Sequence, residues 1–225
     1  MQYTSGLPKV SWGKYFGKGE TITDQKIKND LLALDELEFE PGSEYLYTNY
    51  SPILLGQIVA AIAKQPFSEY VKAHLFLPYG LKNAKIQPKV PYESNEFMAI
   101  PFDKDFREDD YKVSVSGIIF SFTARDIEQW LTQLHEFKII TKASLQFLSE
   151  EADFMGNVQA PLGGVHWENG IVTEHQHHGE TGNYECIVKR LDNGTDVLII
   201  IVQANQKQQN MFDISDEIKS ILKYD

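Results

Sequence analysis

Cysteine is nearly absent: Cys186 stands alone in 225 residues. No internal disulfide can form, and cysteine usage leaves the compartment open. Long apolar runs are lacking as well. The most hydrophobic, Val197 to Val202, falls far short of the roughly 20 residues that cross a bilayer. Basic charge is scarce, with 21 Lys and Arg against 32 Asp and Glu, a net charge of -11 and a pI near 5.0. That balance argues against nucleic acid or an anionic membrane surface as the main partner, because both require a basic patch. The first residues, Met1-Gln2-Tyr3-Thr4, carry neither the basic start nor the apolar stretch of a signal peptide. Internal repeats and low-complexity stretches are missing too. What is present is an ordinary globular composition, 42% hydrophobic and 24% charged, long enough to bury a core.

Periodicity places helices first and strands last. Residues 1–24 read as a Gly-, Lys- and Thr-rich loop. A short amphipathic helix is expected over Asp24 to Leu37, with Ile27, Leu31 and Leu34 on one face. A stronger helix runs from Ser51 to Lys64, with Ser51 as N-cap and Pro52 at the first helical position. Its expected buried stripe is Leu54, Leu55, Ile58, Val59 and Ile62. Phe67 to Leu77 forms another helix, facing inward with Val71, Leu75 and Phe76. Residues 83–112 are charged and proline-containing and read as irregular surface excursions. Ala124 to Phe137 is a helix with Thr123 as N-cap and Asp126 placed for a capping box. Thr141 to Glu150 adds a further turn or two, and Phe212 to Leu222 closes the chain as an amphipathic helix.

After Gly163 the texture becomes strand-like. Val165-His166-Trp167 and Ile171-Val172-Thr173 flank Glu168-Asn169-Gly170. Tyr184 to Leu191 and Asp196 to Ala204 flank a second Asn-Gly turn at 193–194. Asn-Gly between apolar runs is a strong hairpin signal. The layout is α+β: a mainly helical region over 1–162 and antiparallel strands with a terminal helix over 163–225, together one domain. Val197 to Val202 is apolar at every position, which predicts a strand covered on both faces and paired on both sides. Its hairpin partner supplies one neighbour. The other is expected from a missing segment, from the first residues, or from another chain, and an open edge of this kind invites such pairing.

Several segments, taken in order, resemble the serine hydrolases of the penicillin-binding-protein and class C β-lactamase type, with their esterase and D-aminopeptidase branches. Thr4-Ser5-Gly6-Leu7-Pro8 resembles their His-Thr-Ser-Gly-Leu-Pro loop. Pro41-Gly42-Ser43 through Tyr47-Thr48-Asn49 resembles Pro-Gly-Thr followed by Tyr-Ser-Asn. The helix containing Leu54-Leu55-Gly56 is similar to the family helix after that stretch, and Phe76-Leu77-Pro78-Tyr79-Gly80-Leu81 is similar to Phe-x-Pro-Leu-Gly-Met. Ser116-Gly117-Ile118 with Thr123-Ala124-Arg125-Asp126 resembles a Gly-Gly…Thr-Ala-x-Asp-Leu element. His177-His178-Gly179 resembles the His-x-Gly strand that stands in for Lys-Thr-Gly. The resemblance implies a β-lactamase/transpeptidase-like fold, incomplete here at its N-terminus, with an antiparallel sheet flanked by helices and a helical region.

It also implies roles. Acyl transfer by a serine needs a deprotonated hydroxyl, a group that later protonates the leaving group, and donors for the oxyanion. By resemblance Tyr47 moves the proton and Asn49 holds the neighbouring lysine and the substrate amide. A phenol, with an ordinary pKa of about 10, needs cations beside it to do this near neutral pH. His177 donates to the substrate or to Tyr47, Gly179 lets the substrate backbone approach, and Glu180 offers its backbone N–H to the oxyanion. A carboxylate at Glu180 departs from the family, which more often has Gly there, and leaves the substrate type open. Without these motifs, Tyr47 reads as a core tyrosine and Asn49 as a helix cap.

The nucleophile is the gap. The family's Ser-x-x-Lys opens a long apolar helix upstream of the Thr-Ser-Gly-Leu-Pro loop, which here begins at residue 4. Ser11-Trp12-Gly13-Lys14 matches in form, but it comes after the loop and runs into the Gly-rich Tyr15 to Thr21. Motif order and strand accounting both lead to the expectation of a C-terminal portion without turnover of its own. The complete protein would cleave an ester, a D-amino-acid amide or peptide, or a β-lactam through an acyl-enzyme. A ligand-binding pseudoenzyme of the same fold is the alternative. A metal-dependent hydrolase built on His175, His177 and His178 is weaker, because on a strand His178 points away from the other two and zinc wants at least three converging ligands. Neither metal nor cofactor is expected. The expected partner is a small-molecule or peptide substrate. Members of this family are often exported, yet compartment and oligomeric state stay open.

Overall fold

The computed structural model describes residues 2–11, 22–86, 99–108, 113–114, 120–149, 162–206 and 210–224. Of the loop expected over 1–24, residues 1 and 12–21 lie outside the described residues, as do residues 87–98 and 109–112 of the excursions expected over 83–112, and Ser116-Gly117-Ile118. The chain divides into two compact units. The first comprises residues 1–98, 110–122 and 152–158, and the second comprises 99–109, 123–151 and 159–225.

The first unit contains β1 (Ile22–Thr23), α1 (Asp24–Leu32), α2 (Tyr50–Ala63), α3 (Phe67–Val71), β2 (Lys85–Ile86), β3 (Val113–Ser114) and β4 (Phe120–Ser121). β1 pairs in parallel with β3, and β2 pairs antiparallel with β4. The Thr23 hydroxyl caps α1 by accepting the Lys26 N–H at 3.4 Å. The helix stops at Leu32 rather than Leu37. Ile27 is its one buried residue and Leu32 is 75% exposed, so little apolar face remains to carry the helix further. α3 runs directly into a π-helical turn over Lys72–Phe76, and Val71 and Phe76 are buried as the pattern predicts.

α2 corrects two expectations. It begins at Tyr50 with Asn49, not Ser51, at the N-cap position, so Pro52 falls later in the first turn. An N–H is not needed there either, because the first turn has no intrahelical acceptor for it. The buried residues are Tyr50, Ile53 and Gly56, whereas Leu55, Ile58 and Ile62 are 48%, 51% and 78% exposed. α2 is apolar almost all round, so spacing alone had no basis for choosing its inward face.

The second unit contains α4 (Ala124–His135), α5 (Lys142–Leu148), β5 (Gly164–Glu168), β6 (Ile171–Thr181), β7 (Tyr184–Asp192), β8 (Val197–Ala204) and α6 (Met211–Ile221). The strands form one antiparallel sheet in the order β5-β6-β7-β8. The capping box of α4 is complete: Asp126 N–H donates to the Thr123 hydroxyl, and Thr123 N–H donates to the Asp126 carboxylate. Asn169 and Gly170, with φ of 50° and 77°, make the tight turn between β5 and β6. Asn193 shapes the other Asn-Gly turn, its side-chain oxygen accepting the N–H groups of Thr195 and Asp196.

A bulge shapes the sheet. His166 pairs with Glu174 and Trp167 with Val172, leaving Thr173 as the extra residue of β6. The shift turns Val172 to the same face as His175, and Val172 joins Leu134 and Leu145 in a core that Val165 and Trp167 also pack against. α4 lies on that face, where His135 meets His175. α6 lies on the opposite face, where Asp216 pairs with Lys189. Both helices contact β8, so its two apolar faces each meet a helix. β7 is the strand paired with β8 among the described residues, and β8 is less covered than a doubly paired strand: Ile200 is buried, but Val197 is 51% exposed.

Candidate active site

The first unit carries the Tyr47-Thr48-Asn49 segment. Residues 2–8 run beside residues 38–48 and are laced to them: Leu46 N–H donates to Tyr3 O at 2.9 Å, Gly42 N–H to Thr4 O at 2.8 Å, and Glu38 N–H to Gly6 O at 2.8 Å. Gly6 has φ +74°, and a Cβ there would lie 2.3 Å from the Phe39 carbonyl oxygen, so glycine is required for this approach. Buried Thr48 pins the motif. Its hydroxyl donates to Pro8 O at 2.7 Å and accepts the Tyr50 N–H at 3.2 Å. Tyr47, on one side of it, is 45% exposed and is therefore not a core tyrosine. Asn49, on the other side, stands at the N-cap position but makes no side-chain cap; its Oδ1 accepts the Tyr47 hydroxyl at 3.4 Å.

The second unit carries β6, where His177, Gly179 and Glu180 lie in one continuous strand. One edge of the His177 ring reaches solvent, while the other packs on Gly163, where a Cβ would lie 2.5 Å from the ring. Burial lowers the pKa of His177, and neighbouring His178 adds to the effect. Strand alternation puts His177 and Gly179 on one face and His178 and Glu180 on the other. The Glu180 carboxylate therefore points away from the His177 face, and the awkward carboxylate beside an oxyanion does not arise. β6 also outruns β5, whose pairing ends at Gly164 with Gln176, whereas β7 pairs as far as Thr181. Counted from the two-residue turn after Thr181, the Glu180 backbone N–H is directed away from β7, at a stretch where no strand pairs on that side among the described residues.

A family model described as Beta-lactamase matches residues 1–222. The chain belongs to the beta-lactamase family. A Salmonella schwarzengrund protein named as a D-alanyl-D-alanine carboxypeptidase is 33% identical over 76 residues, a match spanning 34% of this chain and 16% of that protein. Among solved structures, a penicillin-binding protein from Bacillus halodurans superposes with TM-score 0.76 at 18% identity, covering 98% of this chain and 70% of that one. The D-amino acid amidase from Ochrobactrum anthropi SV3 gives TM-score 0.72 at 20% identity, covering 99% of this chain and 75% of that one. At such identity these superpositions establish the fold: helices with an antiparallel sheet, as in the β-lactamase and transpeptidase type.

In this beta-lactamase-family chain the structure brings Tyr47 to Asn49, and sets His177 and Gly179 on one strand face. Sequence reasoning missed Tyr3, Gly163 and His135. His135 Nε2 lies 2.8 Å from His175 Nδ1, and His175 Nε2 lies 2.8 Å from Leu162 O. A carbonyl only accepts, so His175 carries its proton on Nε2 and His135 donates from its own Nε2. Burial lowers both pKa values, that of His135 to about 3. His178 pairs instead with Glu185 at 2.8 Å, and His166 with Glu168 at 3.4 Å. Among the described residues no three His, Cys, Asp or Glu side chains gather as a metal site.

A second formal Ser-x-x-Lys, Ser220-Ile221-Leu222-Lys223, also escaped the sequence reading. It straddles the end of α6: Leu222 is the C-cap and Lys223 has φ 51°. Its Ser and Lys therefore do not stand a helical turn apart, as that motif requires. Of Ser11 to Lys14, only Ser11 falls among the described residues.

Proposed function

We propose that this chain supplies the Tyr-x-Asn and His-x-Gly walls of an acyl-transfer site. The protein it represents cleaves a D-amino-acid amide or peptide, an ester, or a β-lactam through an acyl-enzyme. The names of the carboxypeptidase and amidase relatives favour the D-amino-acid amide or peptide within that set. The observation that carries the reading is Asn49: at an N-cap position it forgoes capping and accepts the Tyr47 hydroxyl instead.

The walls assign the steps. Tyr47, as phenolate, takes the proton of the attacking serine hydroxyl. The Glu180 backbone N–H and a second donor hold the oxyanion as it forms. Tyr47, now a phenol, returns the proton to the leaving group, and water then releases the acyl group by the same proton path. His177 donates to the substrate. Gly179 leaves room for the substrate backbone along β6. The serine would come from a Ser-x-x-Lys helix that is not among the described residues, and a strand from the same segment would pair with the side of β8 that no described strand occupies. We therefore expect no turnover from this chain alone.

Nitrocefin, p-nitrophenyl acetate and a D-amino-acid p-nitroanilide test the reading. Robust hydrolysis by this chain, abolished in Tyr47→Phe, would overturn the claim of inactivity. In a protein that carries an in-frame upstream Ser-x-x-Lys, a fluorophosphonate adds once per chain. There Tyr47→Phe lowers kcat by about 100-fold or more. Full activity of that variant would remove Tyr47 from the mechanism.

A further inference from the structure

We propose that Tyr3 is a positioning residue for Tyr47, its hydroxyl donating to the Tyr47 oxygen whenever that oxygen becomes a phenolate. The inference rests on the acyl-transfer reading of Tyr47 given above and extends it to a residue outside the Tyr-x-Asn motif. Four observations carry it. Tyr3 has φ 57°, a conformation that a bulky aromatic residue seldom adopts and that tends to persist where function requires it. Its ring is buried at 8% exposure, while the Tyr47 ring beside it is 45% exposed. The two ring centroids are 4.6 Å apart with the planes tilted by 41°, so the two phenol rings pack against each other. The backbone fixes this contact, because Tyr3 O accepts the N–H of Leu46, the residue before Tyr47.

Donor and acceptor are assigned by the neighbours of each phenol. The Tyr47 hydroxyl donates to Asn49 Oδ1, so its oxygen has lone pairs to offer to Tyr3. Burial, then the adjacent Tyr47 phenol, raises the pKa of Tyr3 well above the usual phenol range. Tyr3 therefore stays protonated while Tyr47 cycles. No proton leaves Tyr3: Tyr47 exchanges its proton with the serine and the leaving group, and Tyr3 contributes one hydrogen bond that strengthens when Tyr47 is charged. Tyr45, edge-on to Tyr3 at 6.2 Å and 82°, closes the other side of the buried ring.

The test uses this chain without substrate. Tetranitromethane nitrates phenolates, and peptide mass spectrometry reads Tyr47 and Tyr45 separately. In Tyr3→Phe, which keeps the ring, Tyr47 nitration at about pH 8 should fall roughly tenfold relative to Tyr45, the loss of one hydrogen bond to a charged group. Unchanged or faster nitration of Tyr47 overturns the proposal. A rise at both tyrosines does the same, because it marks a role in packing alone. Nitration needs no turnover, so a failure of the hydrolase reading leaves this result standing, and the reverse also holds.

Discussion

The two segments proposed as walls, one holding Tyr47 and the other His177, are built by different means. The tyrosine wall hangs on irregular backbone: residues 2–8 are laced to 38–48, a glycine is wedged against a carbonyl, and Tyr3 sits at positive φ. The histidine wall is a strand whose neighbours fix it by register, His177 opposite Val188 and Gly179 opposite Cys186. A ladder spreads its support over many equivalent hydrogen bonds, whereas a laced loop concentrates support in a few. Single substitutions should therefore damage the tyrosine wall more than the histidine wall.

Gly6→Ala puts this to its hardest test. The added Cβ meets the Phe39 carbonyl and forbids φ +74°, so the unfolding free energy should fall by about 3 kcal/mol. Hydrogen-exchange protection should disappear at residues 38–46 and persist in β6 and β7. A loss under about 0.5 kcal/mol would show that the loop relaxes freely.

Gly163→Ala is the matching change on the other wall, at a cost of about 2 kcal/mol. Because β6 keeps its ladder, the strand should survive while the His177 ring is pushed outward. Its imidazole should then titrate higher by NMR, since burial is what lowers it. An unmoved titration would mean that Gly163 is not what seats the ring.

Acid should separate the two units. His135 and His175 have folded pKa values below the unfolded value of 6.5, so the unfolded chain binds protons first as pH falls. Their contribution is complete above about pH 6.5 and is lost progressively toward about pH 3. Urea titrations should show the second unit weakening by about 1–2 kcal/mol between pH 7 and 4, a range that allows for the solvent-facing part of the His135 ring. His135→Phe should flatten that slope. A slope carried equally by both units would contradict this.

Tyr47→Phe should alter stability least, by no more than about 0.5 kcal/mol, because the ring is 45% exposed. A thermal melt displaced by many degrees would return Tyr47 to a structural role.

Much of this was legible in advance. The Thr123–Asp126 capping box, the Asn-Gly turns and the α+β order depend on residues close in sequence, and they stand as expected. The motif order also led to the family that the match over residues 1–222 establishes. The inward face of α2 was not legible, because a helix apolar on every side gives no phase. The partners His135 and His175, and Gly163 with His177, lie far apart in the chain, so no local pattern announces them.

By itself, then, the sequence determined the order of helices and turns, which family motifs the chain carries, and that Tyr47 and Asn49 are two residues apart. Only tertiary structure decided that Asn49 accepts from Tyr47 rather than capping α2, that His135 meets His175, and that Tyr3 packs against Tyr47. Local propensity acts through neighbouring residues, whereas side-chain direction and buried contacts are set by sheet register and by loops packed together from distant parts of the chain.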